Sequence, residues 1–311
     1  MNLLITLLLV SITLCHIHNH QRPHITYNHI KDLKTKVTWQ VIDYKNHPFK
    51  DYTLDQLKKM LGLIRSEEKA QKSFNYDIVN MSLPDSFDSR QQWPNCIHAI
   101  RDQGQCGSCW AFAASEVLSD RLCIKSNGSS NVVLSPQDLV SCDQSDYGCQ
   151  GGILENSWEY LVNTGIVSDE CLPYSSGDGS SAQCPSSGTC QSGNWKKFRA
   201  LSFYQFKSID EIKQSILNEG PVEAGFDVYD DFFSYSGGIY VRSSDNLMGG
   251  HAVKTIGWGV ENGVQYWIVA NSWATGWGEN GYFRIKFGEC NIESEMIAGV
   301  PDVSVLRKIL K

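Results

Sequence analysis

The residue most suited to covalent chemistry is Cys109, which ends the stretch Gln103-Gly104-Gln105-Cys106-Gly107-Ser108 and heads the apolar run Trp110-Ala111-Phe112. A thiol is a weak nucleophile until it ionises, and the first turn of a helix offers positive dipole and free N–H groups that favour a thiolate. An imidazole within reach can hold that thiolate as an ion pair and later return the proton to a leaving amine. His251 qualifies, because Gly249-Gly250-His251-Ala252 surrounds it with small residues that let a substrate approach. Asn271, in Asn271-Ser272-Trp273, can accept the proton on the other ring nitrogen and so fix tautomer and orientation, with Trp273 shielding that bond from water. Gln103, six residues before the cysteine, can aim its amide N–H at a developing oxyanion together with the Cys109 backbone N–H.

Each of these residues has a plainer role: disulfide partner, buried histidine, turn residue, surface amide. What weighs against four plain roles is that the residues occur in order, each in its own local context. Two other chemistries compete. Cys106-Gly107-Ser108-Cys109 has the spacing of a redox pair, but thiol–disulfide exchange of that kind needs a βαβ setting, whereas this motif opens a helix after a loop and seven more cysteines follow. A non-catalytic binding protein on the same scaffold would show a substituted nucleophile or base, and neither is substituted. The five histidines between His16 and His29 read as a solvated, pH-sensitive segment rather than a metal site. Neither metal nor cofactor is expected.

The elements that must position these residues follow from pattern. Trp110, Ala113, Ala114, Val117 and Leu118 recur at helical spacing and predict a helix from Cys109 to Lys125, stopped by Ser126-Asn127-Gly128. Ser135-Pro136 opens another, and Ser208-Ile209-Asp210-Glu211 has the form of a capping box for a third that ends at Gly220-Pro221. Beyond Pro221 the runs 222–228, 252–258, 266–270 and 282–287 are short, aromatic and β-branched, with Glu261-Asn262-Gly263 as a turn signal. Helices early and strands late predict an α+β protein with two lobes. No internal repeat is visible.

In its 311 residues the chain has 41% hydrophobic and 20% charged residues and a net charge of -7, values that suit a soluble globular body. The lack of a dense basic run argues against a nucleic-acid partner. Residues 1–15 are apolar but too short to span a bilayer, which takes about 20 residues, and they read as a signal peptide with Thr13 and Cys15 before the cut. On the secretory route disulfides persist, and Asn80 and Asn127 stand in glycosylation sequons. Residues 16–82 lack cysteine and carry a helix-compatible stretch from Leu54 to Leu61, ending at Gly62. From Leu83 onward lie the ten cysteines other than Cys15 and eight of the nine tryptophans, which marks the stable body.

The stretch from Gln103 to Phe112 resembles the papain family of cysteine peptidases, whose histidine and asparagine fall roughly 130–150 residues after the cysteine. His251 lies about 140 residues on, and Asn271, a little late, is followed by Gly276-Trp277-Gly278-Glu279-Asn280-Gly281-Tyr282 in the family's manner. Within the family, Leu83 to Arg90, Gly220-Pro221-Val222-Glu223-Ala224, Gly249 to Val253, Gly257 to Gly263 and Cys290-Asn291-Ile292-Glu293-Ser294-Glu295 resemble the cathepsin B branch. The resemblance implies a papain-like two-lobed fold, a helical lobe at about 96–195 and a β-barrel-like lobe at about 196–295, with the active site between them. It implies a cysteine endopeptidase made as a zymogen, with Cys109, His251, Asn271 and Gln103 catalytic, a propeptide at 16–82 lying through the cleft and a peptidase domain at 83–311. Gly151, Gly152, Gly250 and Trp273 would bind substrate, and Glu295 would sit at the end of the pocket for the second residue upstream of the cut, admitting arginine or apolar side chains. Disulfides Cys96–Cys123 and Cys106–Cys149 are implied, then Cys142–Cys184 and Cys171–Cys190 among three connectivities, leaving Cys109 and Cys290 free. Peptide and protein substrates, the propeptide itself and cystatin-type inhibitors are the implied partners of a monomer in the lysosome, a digestive vacuole or the exterior. One departure stands out: the cysteine-bracketed, histidine-bearing occluding loop of cathepsin B has no counterpart between Cys171 and Trp195, which contains no histidine.

Overall fold

The structure, a computed structural model, describes residues 22–66 and 76–304. The expected signal peptide and three of the clustered histidines, His16, His18 and His20, lie outside the described residues.

The N-terminal segment forms α1 (Tyr27–Lys36), the short strand β1 (Gln40–Val41) and α2 (Leu54–Lys59). At α2 the Thr53 hydroxyl accepts the Gln56 N–H while the Gln56 side chain accepts the Thr53 N–H. This reciprocal cap fixes where the helix starts. The helix is shorter than the stretch Leu54 to Leu61 suggests, because Met60 and Leu61 turn away into the body.

The body opens with β2 (Phe87–Asp88) and α3 (Ser89–Gln92), then α4 (Cys109–Lys125), α5 (Pro136–Cys142) and α6 (Leu154–Asn163). Helix α4 has the bounds that its spacing predicts, yet it is buried on every side from Cys109 to Cys123. Polar groups on such a helix must find partners. Lys254 donates to Asp120 at 2.8 Å and lies 3.3 Å from Glu116, and Arg121 donates to Pro221 O, Gly220 O and the Ser215 hydroxyl at 2.6, 3.1 and 2.7 Å. These bonds fix the height of Cys109 against the sheet.

The second lobe contains β3 (Ala200–Gln205), α7 (Ile209–Glu219), β4 (Val222–Tyr229), β5 (Tyr235–Gly237), β6 (Ile239–Tyr240), β7 (Leu247–Glu261), β8 (Val264–Ala270), β9 (Tyr282–Lys286) and β10 (Glu295–Pro301). The sheet runs β3-β10-β4-β7-β8-β9-β6, with β2 added to β7. The capping box expected at α7 is half formed: Ser208 accepts the Glu211 N–H, but the Glu211 carboxylate takes the Lys207 N–H instead. Asn262 and Gly263, with φ of 52° and 79°, make the two-residue turn joining β7 to β8, both in the left-handed region such hairpins use. Helices and sheet together give an α+β protein of two lobes.

Among the described residues four disulfides join Cys96 to Cys123, Cys106 to Cys149, Cys142 to Cys184 and Cys171 to Cys190, while Cys109 and Cys290 are free and buried. The N-terminal segment docks on the second lobe: β1 pairs with β5, Trp39 Nε1 donates to Val241 O at 2.9 Å, and Phe49 stands edge-on to Trp273 at 5.7 Å.

Candidate active site

Cys109 reaches its place because the turn before it is clamped. The Cys106–Cys149 bridge and the Gly107 N–H to Cys149 O bond at 3.0 Å tie that turn to the loop carrying Gly151 and Gly152. Tyr174 links Ser108 Oγ, at 2.9 Å, to the Gln103 carbonyl, to which it donates at 2.8 Å. Cys106 is therefore already bonded elsewhere, which removes the partner that a Cys106–Cys109 redox pair requires. From the facing lobe β7 delivers His251, and the chain leaving β8 delivers Asn271.

His251 Nε2 lies 2.8 Å from Asn271 Oδ1, which also accepts the Ser272 N–H at 2.8 Å. An oxygen that already accepts must accept again from the imidazole, so Nε2 carries the proton and Nδ1 is left to exchange one. Nδ1 is buried and has no hydrogen-bond partner among the described residues. Trp273 lies over the ring at 4.8 Å between centroids and stacks on Phe233 at 5.1 Å, closing this bond off from water. Gln103 Oε1 accepts from Ser272 Oγ at 2.7 Å, which points its Nε2 the other way, at Cys106 O (2.7 Å) and Met60 O (2.9 Å).

The N-terminal segment fills the cleft between these groups. Its Gly62 N–H points at Cys109 Sγ at 3.3 Å. Gly152 donates to Gly62 O at 2.8 Å and accepts from Ile64 N–H at 2.9 Å, and Leu63 N–H donates to Gly250 O at 3.1 Å. Gly152 can have no side chain, because a Cβ would come within 2.5 Å of the Trp110 ring. Beyond Ile64, Arg65 reaches Glu295 Oε2 at 2.7 Å and Asp227 Oδ1 at 2.9 Å.

Burial in this filled cleft sets the electrostatics. It pushes the Cys109 thiol up to about 11, with the N–H groups of Ala252, Gly62 and Trp110 opposing, and drives His251 down to about 4 against the Asn271 bond. An ion pair is what the sequence leads one to expect at a helix start. With the segment in place the two are instead a neutral thiol and a neutral imidazole, unbonded to each other, because desolvation disfavours both charged forms. Burial, and then the like charge of Glu155, push Glu295 up to about 7 despite Arg65.

All nine residues singled out for catalysis or substrate binding line this one cleft: Cys109, His251, Asn271, Gln103, Gly151, Gly152, Gly250, Trp273 and Glu295. Asn80 and Asn127 are exposed and lie on the outer surface. Sequence reasoning missed Gly62, Arg65 and Asp227. Asp227 was within reach, since alternation along β4 puts it on the same face as Gly225, the residue paired with Glu295. Among the described residues no cluster of His, Cys, Asp and Glu suits a metal ion.

The model of the papain family of cysteine proteases matches residues 83–300. The chain is 42% identical to "Cathepsin B-like cysteine proteinase 4" of Caenorhabditis elegans over 82% of its own length and 87% of that relative, and 40% identical to "Cathepsin B" of Dictyostelium discoideum over 85% and 88%. Among solved structures, procathepsin B S9 of Trypanosoma congolense superposes with a TM-score of 0.83 and 33% identity over 90% of this chain and all of that one.

Proposed function

Since the chain belongs to the papain family of cysteine proteases and is a cathepsin B-like cysteine peptidase made as a zymogen, we propose that Cys109 is its nucleophile, with His251 as acid–base, Asn271 as orienting residue and Gln103 as oxyanion donor. The observation that carries this reading is the crossing of residues 62–64, whose backbone occupies the bonds a peptide would need and brings an N–H to the sulfur.

Release of that segment readmits water and removes the desolvation that holds the pair neutral, so the proton passes from Cys109 Sγ to His251 Nδ1. The thiolate then attacks the carbonyl carbon of the scissile bond. The oxygen takes up negative charge facing Gln103 Nε2, at the position Met60 O holds in the precursor. Collapse breaks the C–N bond, His251 gives its proton to the leaving amine, and a thioester remains on Cys109. Water, deprotonated by His251, attacks the thioester; the acid product leaves and the thiol is regenerated. Asn271 keeps Nδ1 toward the sulfur throughout, and Trp273 keeps water off the bond that does so.

The same reading makes residues 16–82 the propeptide, removed near Leu83, after a signal peptide at 1–15. Gly151, Gly152 and Gly250 hold substrate backbone, and Glu295 ends the pocket for the second residue upstream of the cut, admitting arginine or apolar side chains. Endopeptidase action is favoured by the segment 172–195, which has no histidine and is bound back to the helical lobe by its disulfides and by Gly177 O accepting the Gln105 N–H at 2.8 Å. The product belongs in a lysosome, a digestive vacuole or the exterior, acts as a monomer on peptides and proteins, meets cystatin-type inhibitors and carries glycans at Asn80 and Asn127. Among the described residues no helix is long and apolar enough to cross a membrane.

The test is hydrolysis of fluorogenic peptides by the processed protein. Cys109→Ala and His251→Ala each abolish turnover while the folded spectrum is kept, since the two act as a unit. Wild-type turnover in Cys109→Ala would end the thiol mechanism.

A further inference from the structure

The Arg65 guanidinium touches two carboxylates that come from different strands. Arg65 Nη1 donates to Glu295 Oε2 at 2.7 Å and to the Ser294 hydroxyl at 3.2 Å, while Nη2 donates to Asp227 Oδ1 at 2.9 Å. Glu295 begins β10, and Asp227 lies on β4. Asp227 is held in that attitude from behind, since Asn291 Nδ2 donates to its other oxygen at 2.6 Å. Asn291 is able to do so because it takes a left-handed backbone, φ 58°, in the kink before β10. The Ser294 hydroxyl in turn donates to Asn291 O at 2.6 Å, so that its lone pairs face the guanidinium.

The space in front of these carboxylates opens onto the substrate cleft. Gly225, across from Glu295 in the sheet, has no side chain to fill it; a Cβ there would meet Leu63 Cδ2 at 2.7 Å and Glu295 Oε2 at 3.1 Å. Leu63 is the residue whose N–H pairs with Gly250 O, beside the catalytic histidine. A side chain entering where Leu63 now stands has the two carboxylates at its far end once the segment has left.

We propose that Asp227 is the second carboxylate of a guanidinium-binding subsite shared with Glu295, and that the processed enzyme therefore takes arginine over lysine at the second residue upstream of the cut. This rests on the reading of Glu295 given above and adds to it a second residue and a preference. A guanidinium is a planar fork whose separate N–H groups can serve two carboxylates at once, as Arg65 does, whereas an ammonium is a compact point charge that cannot span them in the same way. In the precursor, Arg65 is the occupant.

The experiment measures kcat/KM of the processed wild type, Asp227→Asn and Glu295→Gln on Arg-Arg, Lys-Arg and Phe-Arg reporter peptides. The wild type is expected to prefer Arg-Arg to Lys-Arg about tenfold, a gap typical of one charge-assisted hydrogen bond. Asp227→Asn, which keeps shape and removes charge, should lower the Arg-Arg to Phe-Arg ratio about tenfold and bring Arg-Arg and Lys-Arg close together. Asp227→Ser should do the same, which covers a failure of the first variant to mature. If Glu295→Gln lowers the Arg-Arg to Phe-Arg ratio while both Asp227 variants keep wild-type ratios, the proposal falls and the Glu295 reading stands. A wild type that cuts Phe-Arg but not Arg-Arg overturns both.

Discussion

Gly62 carries the sharpest test of how the precursor is kept silent. A Cβ at this position would lie 1.8 Å from the Gly107 carbonyl oxygen and 2.4 Å from its carbon. Backbone clamped by the Cys106–Cys149 bridge cannot retreat from such a contact, so in Gly62→Ala the segment itself must lift away. Lifting it strains the bonds that cluster at the crossing: Gly62 N–H to Cys109 Sγ, Gly152 N–H to Gly62 O, Leu63 N–H to Gly250 O and Ile64 N–H to Gly152 O. At about 0.5–1.5 kcal/mol each, losing most of them costs about 3 kcal/mol. That corresponds to about a hundredfold larger population of the open cleft. The assay is alkylation of the unprocessed precursor by iodoacetamide, with modification at Cys109 followed by mass. Because the open population limits the rate, Gly62→Ala should react about a hundredfold faster than wild type and hydrolyse a reporter peptide before any processing. Gly276→Ala is the control, since a Cβ there meets nothing within 4 Å among the described residues. Wild-type alkylation and continued latency in Gly62→Ala would refute the claim that close backbone contact at Gly62 closes the cleft.

Two further outcomes follow from the site. His47, almost fully buried, accepts the Phe49 N–H on Nδ1 at 3.1 Å and faces Ser234 Oγ through Nε2 at 3.3 Å; burial, and then the charge of His29, push it down to about 4. The released segment, with an ordinary histidine near 6.5, binds more protons than the docked one, so docking is strongest above about pH 6.5 and weakens as the pH falls toward 4. In the Cys109→Ala precursor, hydrogen exchange across residues 39–63 should therefore quicken between pH 6.5 and 4.5, and less so in His47→Gln; equal profiles would remove His47 from the response. A long peptide with a free C-terminus should be cut internally by the processed enzyme, since no histidine in residues 172–195 is there to hold a terminal carboxylate; a mass ladder dominated by successive dipeptide losses would contradict this.

Features spanning only a few residues determine a good part of this protein. Cys109 at a helix start, the apolar spacing of α4, the Ser135 and Ser208 caps and the Asn262-Gly263 turn are dictated within a few residues, by dipole, burial period, side-chain capping and backbone sterics, and each is legible in isolation. The Gly249-Gly250-His251 and Asn271-Ser272-Trp273 contexts named the candidate partners for the same reason. What needed the tertiary structure depends on which strand lies beside which. Asp227 and Glu295 share one guanidinium only because β4 and β10 pair in the register that sets Glu295 opposite Gly225. Which imidazole nitrogen is free depends on the second proton that Asn271 Oδ1 accepts from Ser272. The neutral state of Cys109 and His251 could not be read from their neighbours in sequence, because it arises from burial in a cleft that a segment nearly fifty residues upstream crosses, with Gly62 against the sulfur. Helix starts and turns are local free-energy minima of the chain, whereas charge states and shared subsites are set by what long-range packing brings near and by the water it excludes.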